Sequence, residues 1–402
     1  MAGAIITIGI GGAGVAVAAR FLRSLATDLA PSQRHSGGFF EKVGSGTLVP
    51  RAVFVDTDPV AARPQRDSLT GTSGPISVHP SYVVSGKESA SRCFSRAYQG
   101  VVDTRLPVIL DRVRKLRDNA TKVDGFVFVH SLCGGTGSGL AAKLAERLAA
   151  EYPKAVRVSA ALLPGYKADP SPLDAVNAAL GLHKLVPNID VCLLADNDAL
   201  SKLKGRRTYA TFNRAFGRAL TNFALPIQEG KTTLAAVASH NRSTSTLPFL
   251  VLSRSDPKPQ IAAKLQVRDV LAGQGAFASY SPQSWERPAL SSLLVFRGSY
   301  KTKDSEAAGK ELARHATEGN SSALSFIISR PETGAARAMH AFTAHAGIGP
   351  MFDARVRQPY KKLLEAKAFT HQTLADGIEP GTLTAAHASL RSWIRSYGAL
   401  ST

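Results

Sequence analysis

The sequence predicts an α/β protein built on a parallel sheet wrapped by helices. Three observations carry that prediction. Short runs of apolar β-formers alternate with helix-periodic segments through the first 200 residues. Strands feed directly into glycine-rich turns that open helices. Every distinctive loop in this stretch follows the carboxyl end of a strand, where such sheets bind their ligands. In order, "AIITIGIGGAGVAVAARFLRSLA" reads as strand, glycine turn and helix, and "RAVFVDTDP" as a second buried strand ending in Asp56 and Asp58 and closed by Pro59. "LPVILDRVRKLRDNA" has helical periodicity with a basic face, and "DGFVFVH" is a strand that runs into "HSLCGGTGSG", residues 130–139. "LAAKLAERLAAEY" is an amphipathic helix with Leu140, Leu144 and Leu148 on one stripe. "AVRVSAALLP" and "DVCLLAD" are the next strands, separated by a helical pattern at 173–186.

The pattern changes near residue 230. From there to about 348, β-type segments ("LPFLVLS", "LSSLLVFRG", "ALSFIIS") mix with helices and imply a second α/β domain, and the last fifty residues are mainly helical. At 402 residues the chain is long enough for two or three domains. Its 49 Lys and Arg against 30 Asp and Glu leave +19, a surplus that favours anionic partners such as nucleic acid, acidic protein surfaces or membranes. Three cysteines (Cys93, Cys133, Cys192) without metal-ligand spacing argue against a disulfide framework and for a reducing compartment. Residues 2–19 carry no charge, but no basic cluster precedes them and "GIGGAG" makes a poor membrane helix, so no transmembrane segment is expected.

Four glycines stand within residues 134–139, interleaved with Thr136 and Ser138. Each costs about 1 kcal/mol relative to alanine in a regular element. A loop that wraps an anion needs that permissiveness, so that backbone N–H groups can converge on phosphate oxygens; a tight structural turn is the alternative. Gly9, Gly11 and Gly14 also satisfy G-x-G-x-x-G directly after a strand. Two glycine loops on one sheet, with acidic residues followed by proline after the second strand, suit a triphosphate better than a dinucleotide. No G-x-x-x-x-G-K-[ST] is present, which removes the P-loop class as far as motif goes.

Residues 130–139 closely resemble the tubulin signature, in which the same Ser-Leu and Gly-Gly-Thr-Gly-Ser-Gly surround the nucleotide phosphates; Cys133 stands where tubulins usually have another glycine. "VPRAVFVDTDP" is similar to the tubulin stretch whose acidic residues sit near magnesium, and "NIDVCLLADNDALSKL" to the segment that closes the ribose pocket. "LLVFRG" and "KAFTHQ" resemble strings of the later domains. Together these cover most of the chain in the right order, and it is identified as a member of the tubulin/FtsZ superfamily, with the eukaryotic-type tubulin branch favoured. The resemblance implies a GTP-binding domain over residues 1–228 with its core helix at about 208–228, an intermediate α/β domain over 229–348, and a C-terminal helical region over 349–402 without an acidic tail.

It also implies roles. Gly11, Gly12, Ala13 and Gly14 contact phosphates, as do Ser131, Gly134, Gly135, Thr136, Gly137 and Ser138. Replacing Gly135 or Gly137 with a β-branched residue is expected to block phosphate while leaving a folded chain. Asp56 and Asp58 are hard oxygen donors suited to hydrated Mg²⁺, a capped turn before Pro59 being the alternative. Asp174 and Asn188 are aimed at the ribose, Tyr209 stacks on the base, and Asn213 reads the guanine edge. The ligands are thus GTP or GDP with Mg²⁺.

Departures bear on turnover. Gly12 and Ala16 replace glutamines, and the loop at 85–100 lacks the family's glycine and paired asparagines but carries Lys87, Arg92 and Arg96, which either neutralise phosphate charge or face solvent. The loop after the core helix, by which a subunit completes its neighbour's site, has Glu229 as its sole carboxylate, earlier than the catalytic position, which aligns with Thr233. Glu229 is the catalytic candidate, and nucleotide binding is expected more firmly than hydrolysis. The expected behaviour is head-to-tail assembly with itself or other tubulin-like subunits, in the cytoplasm as cytoskeleton. The rival is a non-polymerising basic module for nucleic acid or acidic tubulin surfaces, drawing on "DRVRKLR" and on Arg355, Arg357, Lys361 and Lys362.

Overall fold

The computed structural model describes residues 3–30, 37–43, 47–60, 62, 69, 75–100, 102–165, 171–202, 208–244, 247–255, 262–271, 275–278, 289–314, 324–332 and 337–399. Strands β1 (Ala4–Ile10), β4 (Ala52–Asp56), β6 (Val123–Ser131), β7 (Val156–Leu163) and β8 (Val191–Asp196) are the five anticipated in the first half. They are joined by a short edge strand, β5 (Val83–Ser85), and by a separate hairpin of β2 (Phe40–Val43) and β3 (Thr47–Pro50). In the second half lie β9 (Phe249–Arg254), β10 (Ala289–Gly298), β11 (Leu324–Ser329) and β12 (Arg337–His345).

Ten of these strands form one sheet in the order β11-β10-β12-β9-β8-β7-β6-β1-β4-β5. From β5 through β9 every pairing is parallel, and helices cover both faces, which is why β1, β4 and β8 are buried along their whole length. Beyond β9 the sheet turns antiparallel through β12 to β10, with β11 returning parallel at the edge.

Residues 229–348 therefore extend the first domain's sheet, by way of the Cys192–Phe249 register, rather than building a second one. They share the main core and add a smaller one of Val267, Leu294, Phe296, Ala308 and Met339 beneath helices Ala263–Leu271 and Thr302–Arg314.

Register decides where the site lies. Ile10 pairs with Val55 and with His130, Ser131 with Leu162, and Leu163 with Asp196. The residues that follow these strands, near 11, 57, 132, 164 and 197, consequently emerge side by side along one edge.

The core helix (Tyr209–Gln228) is capped by Thr208, whose hydroxyl accepts from the Thr211 amide at 3.2 Å. It packs against helix Gly11–Asp28 so closely at Gly217 that a Cβ there would stand 3.0 Å from the Phe21 nitrogen and the Val17 oxygen. Its middle also anchors a buried ionic network. Arg297, on β10 and fully buried, pairs with Asp28 at 2.8 Å and donates to Asn222 of the core helix. Glu332 holds Arg218 at 2.9 Å and Arg254 at 3.2 Å. The C-terminal helices cover the far side, where Phe249 packs edge-on against Phe352 and Trp393 and the Tyr360 hydroxyl donates to the Leu383 carbonyl at 2.9 Å. No helix among the described residues is long and apolar enough to cross a membrane.

Candidate functional site

A cleft of about 240 Å³ opens at the carboxyl edge of the parallel strands. The two glycine loops contribute Ala13, Ser131 and Cys133, the helix after β7 contributes Asp174, the end of β8 contributes Asn197, and the core helix contributes Tyr209 and Asn213. Residues scattered over 200 positions of sequence are thus brought to one concave surface by strand register.

Both helices that open on glycine turns begin without a side-chain cap. Ile10, whose side chain has no acceptor, precedes the helix Gly11–Asp28, and Gly135, which has no side chain, precedes the π-helical turn Thr136–Leu140, so no side chain caps the first-turn amides. Uncapped N–H groups at a helix start attract anions. The loops also touch: a Cβ on Gly11, whose φ of +72° already favours glycine, would lie 3.3 Å from the Gly137 nitrogen.

The glycines of the second loop divide into two kinds. A Cβ on Gly135 would stand 2.5 Å from the Cys93 oxygen, on Gly137 2.4 Å from the Ser131 oxygen, and on Gly139 2.4 Å from the Phe94 oxygen. These three are required for backbone-to-backbone packing. Only at Gly134, among the four, does a Cβ meet nothing within 4 Å. The expectation that Gly135 or Gly137 can be enlarged in a folded chain is therefore corrected, because the collision is with the protein's own main chain. Gly14 behaves likewise, 2.2 Å from the Val129 oxygen, whereas Gly12 is exposed and Ala13 half-buried.

Ser138 is buried and its hydroxyl donates to the Gly134 carbonyl at 2.7 Å, so it shapes the loop from within. The Ser131 hydroxyl accepts from the Cys133 amide at 3.2 Å at the cleft wall. Thr136 shares a 2.5 Å hydroxyl contact with Thr57, and Thr57 in turn accepts from the Ala90 amide at 3.3 Å, tying the second glycine loop to the end of β4 and to the loop after β5. The Cys133 thiol is pushed up to about 12, first by burial and then by the charge of Asp174, which leaves it neutral and unreactive.

At the end of β4, Asp56 is buried and burial raises its carboxyl above the usual range, opposed by the hydrogen bond from the Asp58 amide and helped to a smaller extent by the Asp58 charge. Asp56 pairs with no cation among the described residues, and it accepts from the Asp58 amide at 3.2 Å. Asp58 lies two residues on, with its Oδ1 accepting from the Val60 amide at 2.8 Å, which is also the turn-capping geometry. No cluster of three or more His, Cys, Asp or Glu side chains able to hold a metal occurs among the described residues. Two hard carboxylates, one desolvated and short of positive charge, fit a largely hydrated Mg²⁺ rather than a fully protein-ligated ion.

Tyr209 is 52% exposed at the start of the core helix, edge-on to Phe212, with its ring toward the cleft. Asn213, one turn later, offers a donor and an acceptor on the same face. Asp174 is buried in the first turn of helix Pro172–Leu185.

Two of the sequence-derived residues lie elsewhere. Asn188 follows that 14-residue helix, which at 1.5 Å per residue carries the chain about 20 Å to the opposite sheet edge. There its amide donates to the Lys184 carbonyl at 3.0 Å and its own carbonyl accepts from Arg157 at the start of β7. Asn197 occupies the cleft instead. Its position one residue past the end of β8 was the available signal, since ligands gather at strand ends.

Glu229 terminates the core helix with its side chain fully buried, accepting from the Ser329 hydroxyl at 2.6 Å and paired with Lys231 at 2.9 Å. It is turned into the interior of its own fold. Thr233 is exposed and caps the next helix, its hydroxyl accepting from the Ala236 amide at 3.1 Å.

The basic clusters are largely ion-paired. Arg355 is buried against Asp196 at 3.3 Å and Asp198 at 3.7 Å, where it braces the segment bearing Asn197. Arg357 pairs with Asp353 and Lys361 with Glu365, and in "DRVRKLR" Arg114 makes a two-pronged contact with Glu151.

Residues 4–205, just over half of the chain, match the Tubulin/FtsZ family, GTPase domain. The tubulin alpha chain of Trypanosoma cruzi is 26% identical over 386 residues, which span 89% of this chain and 84% of that tubulin. The matched segment contains both glycine loops, the paired aspartates and the strand ends that frame the cleft. This chain belongs to the tubulin/FtsZ family and has its GTPase fold.

Proposed function

We propose that this protein is a guanine-nucleotide-binding cytoskeletal subunit that assembles head to tail into filaments in the cytoplasm, with the nucleotide at the junction and slow hydrolysis. The observation that carries the reading is the single cleft shared by two glycine loops, Asp174, Asn197 and the Tyr209–Asn213 pair. In this reading the amides around Gly11–Gly14 and Gly134–Gly137 receive the phosphates, Asp174 and Asn197 receive the ribose, Tyr209 stacks on the base and Asn213 pairs with the guanine edge. Asp56 and Asp58 would hold Mg²⁺, which supplies positive charge to the phosphates when bound. The likeness to a tubulin alpha chain along most of its length supports assembly.

Slow turnover follows from the loop after the core helix. A carboxylate that orients water for a neighbour's nucleotide must be exposed, and such assistance is typically worth about 10²–10⁴-fold in rate. Glu229 is buried and engaged, and Thr233 offers only a hydroxyl already used as a cap.

Sedimentation with GTP, GDP and a non-hydrolysable GTP analogue, at two salt concentrations and with phosphate release followed in parallel, tests the whole reading. GTP and the analogue should both support pelleting, with little phosphate released and no specific loss of release in Glu229→Gln. Rapid, concentration-dependent release that Glu229→Gln abolishes in a folded subunit would overturn the account of turnover. Salt-sensitive polyanion binding without nucleotide-dependent pelleting would favour the basic-module reading.

A further inference from the structure

The loop after β5 contains two consecutive non-glycine residues in the left-handed region, Ser91 at φ 50° and Arg92 at φ 60°. Neither is an asparagine or aspartate, the side chains that tolerate this conformation best. One buried side chain holds them there. Asn177, fully buried in helix Pro172–Leu185, accepts from the Phe94 amide at 2.8 Å and donates to the carbonyls of Arg92 at 2.7 Å and Cys133 at 2.8 Å. A single amide thus fastens the strained turn to the glycine loop. Gly135, packed on the Cys93 backbone, closes the same joint from the other side. Backbone strain that the surroundings enforce this fully is a mark of a functional position.

What the strain achieves is the placement of Arg92. Its side chain is 57% exposed, lines the nucleotide cleft and faces Asp174 at 3.6 Å. Among the described residues, Arg92 is the cleft's one side chain with a full positive charge, the others that line it being neutral apart from Asp174. The backbone amides supply only partial charges, whereas a triphosphate brings several full negative ones. A guanidinium presents a planar fork that matches phosphate oxygens and stays charged at all working pH values.

We propose that Arg92 is the residue by which this chain reads the nucleotide's phosphates, and that it changes partners as the ligand enters. Before binding, Arg92 neutralises Asp174, which would otherwise repel an incoming polyphosphate. When a ribose hydroxyl donates to Asp174, the guanidinium turns to the phosphates, so sugar recognition and phosphate recognition are coupled through one ion pair. This inference rests on the guanine-nucleotide reading and assigns a charge-reading role to a loop that departs from the family's glycine-asparagine pattern.

The test compares GTP, GDP and guanosine binding by calorimetry to the full chain and to Arg92→Asn and Arg92→Lys. Asparagine tolerates the left-handed backbone, so it removes the charge without releasing the turn. In Arg92→Asn, GTP affinity should fall about tenfold or more, the scale of a lost charge-assisted contact. Guanosine affinity should hold or rise, and the dependence of GTP binding on salt should flatten. Arg92→Lys should recover part of the loss, since it keeps the charge and loses the fork. Unchanged GTP affinity in Arg92→Asn, or equal losses for GTP and guanosine, would overturn the role of Arg92 while leaving nucleotide binding intact. A wild-type chain that binds none of the three ligands would overturn the nucleotide reading and this inference with it.

Discussion

Enlarging Gly135 by one methyl group should damage folding, whereas enlarging Gly134, its immediate neighbour, should damage only ligand binding. The Cβ of Gly135→Ala would lie 2.5 Å from the Cys93 oxygen, 2.6 Å from its nitrogen and 2.7 Å from its carbonyl carbon. Restoring an ordinary 3.4 Å contact to that oxygen requires a retreat of about 0.9 Å (3.4 minus 2.5). The segment cannot retreat freely, because Asn177 fixes the residues on either side and the Cys93 amide donates to the Ala90 carbonyl at 2.9 Å. Overpacking of this kind costs about 1–3 kcal/mol and occasionally more. At Gly134 a Cβ meets nothing within 4 Å and the backbone does not lie in the left-handed region. Alanine there should instead gain about 0.4–1 kcal/mol by restricting the unfolded chain. Denaturant unfolding of the two alanine variants, paired with calorimetric GTP titration of Gly134→Val, separates the effects. Gly135→Ala should unfold at lower denaturant, Gly134→Ala should not, and Gly134→Val should fold but lose GTP affinity. Wild-type stability in Gly135→Ala, or wild-type GTP affinity in Gly134→Val, would refute the division of the loop into packing and ligand-facing glycines.

Asn197→Ala should weaken GTP binding by about 1–3 kcal/mol, the range for leaving a buried partner unpaired, while Asn188→Ala should leave calorimetric affinity unchanged; the reverse pattern would restore Asn188 to the ribose. Burial holds the imidazole of His130, beneath the second glycine loop, down to about 4, below the ordinary value of about 6.5. The unfolded chain therefore binds the extra proton between these values, and stability should fall as pH drops from 6.5 toward 4, by up to about 1.4 kcal/mol per pH unit. In His130→Gln the acid limb of a stability-pH curve should be shallower, and an unchanged limb would refute this assignment. Arg297→Met removes a fully buried charge that pairs with Asp28 and donates to the core helix. Because Asp28 keeps Arg218 at 3.1 Å, the loss in denaturant unfolding should fall near the lower end of about 3–5 kcal/mol, and a loss under about 1 kcal/mol would contradict the network's role.

The parts of this protein legible in its sequence are those written in contiguous residues. Strand, glycine turn and helix at 4–28 and the run from "DGFVFVH" into the second glycine loop follow from local periodicity and turn chemistry, whereas the core helix was legible only through the family resemblance. Register brought the strand ends together, and Ala13, Ser131, Asp174, Tyr209 and Asn213 line one cleft. Tertiary structure decided what depends on residues far apart in the chain. Nothing local to Gly135 reveals that the Cys93 backbone lies against it, nor does Asn177 announce that it joins residues 92, 94 and 133. Asn188 and Asn197 are alike as side chains, and only the direction of the chain between the two sheet edges separates them. Glu229 and Arg355 read as exposed charges, yet partners 100 and more than 150 residues away draw both inward. Their burial became favourable only once folding had brought Ser329, Asp196 and Asp198 within hydrogen-bonding or ion-pairing distance, because a charge leaves water at tolerable cost only where such partners are already in place.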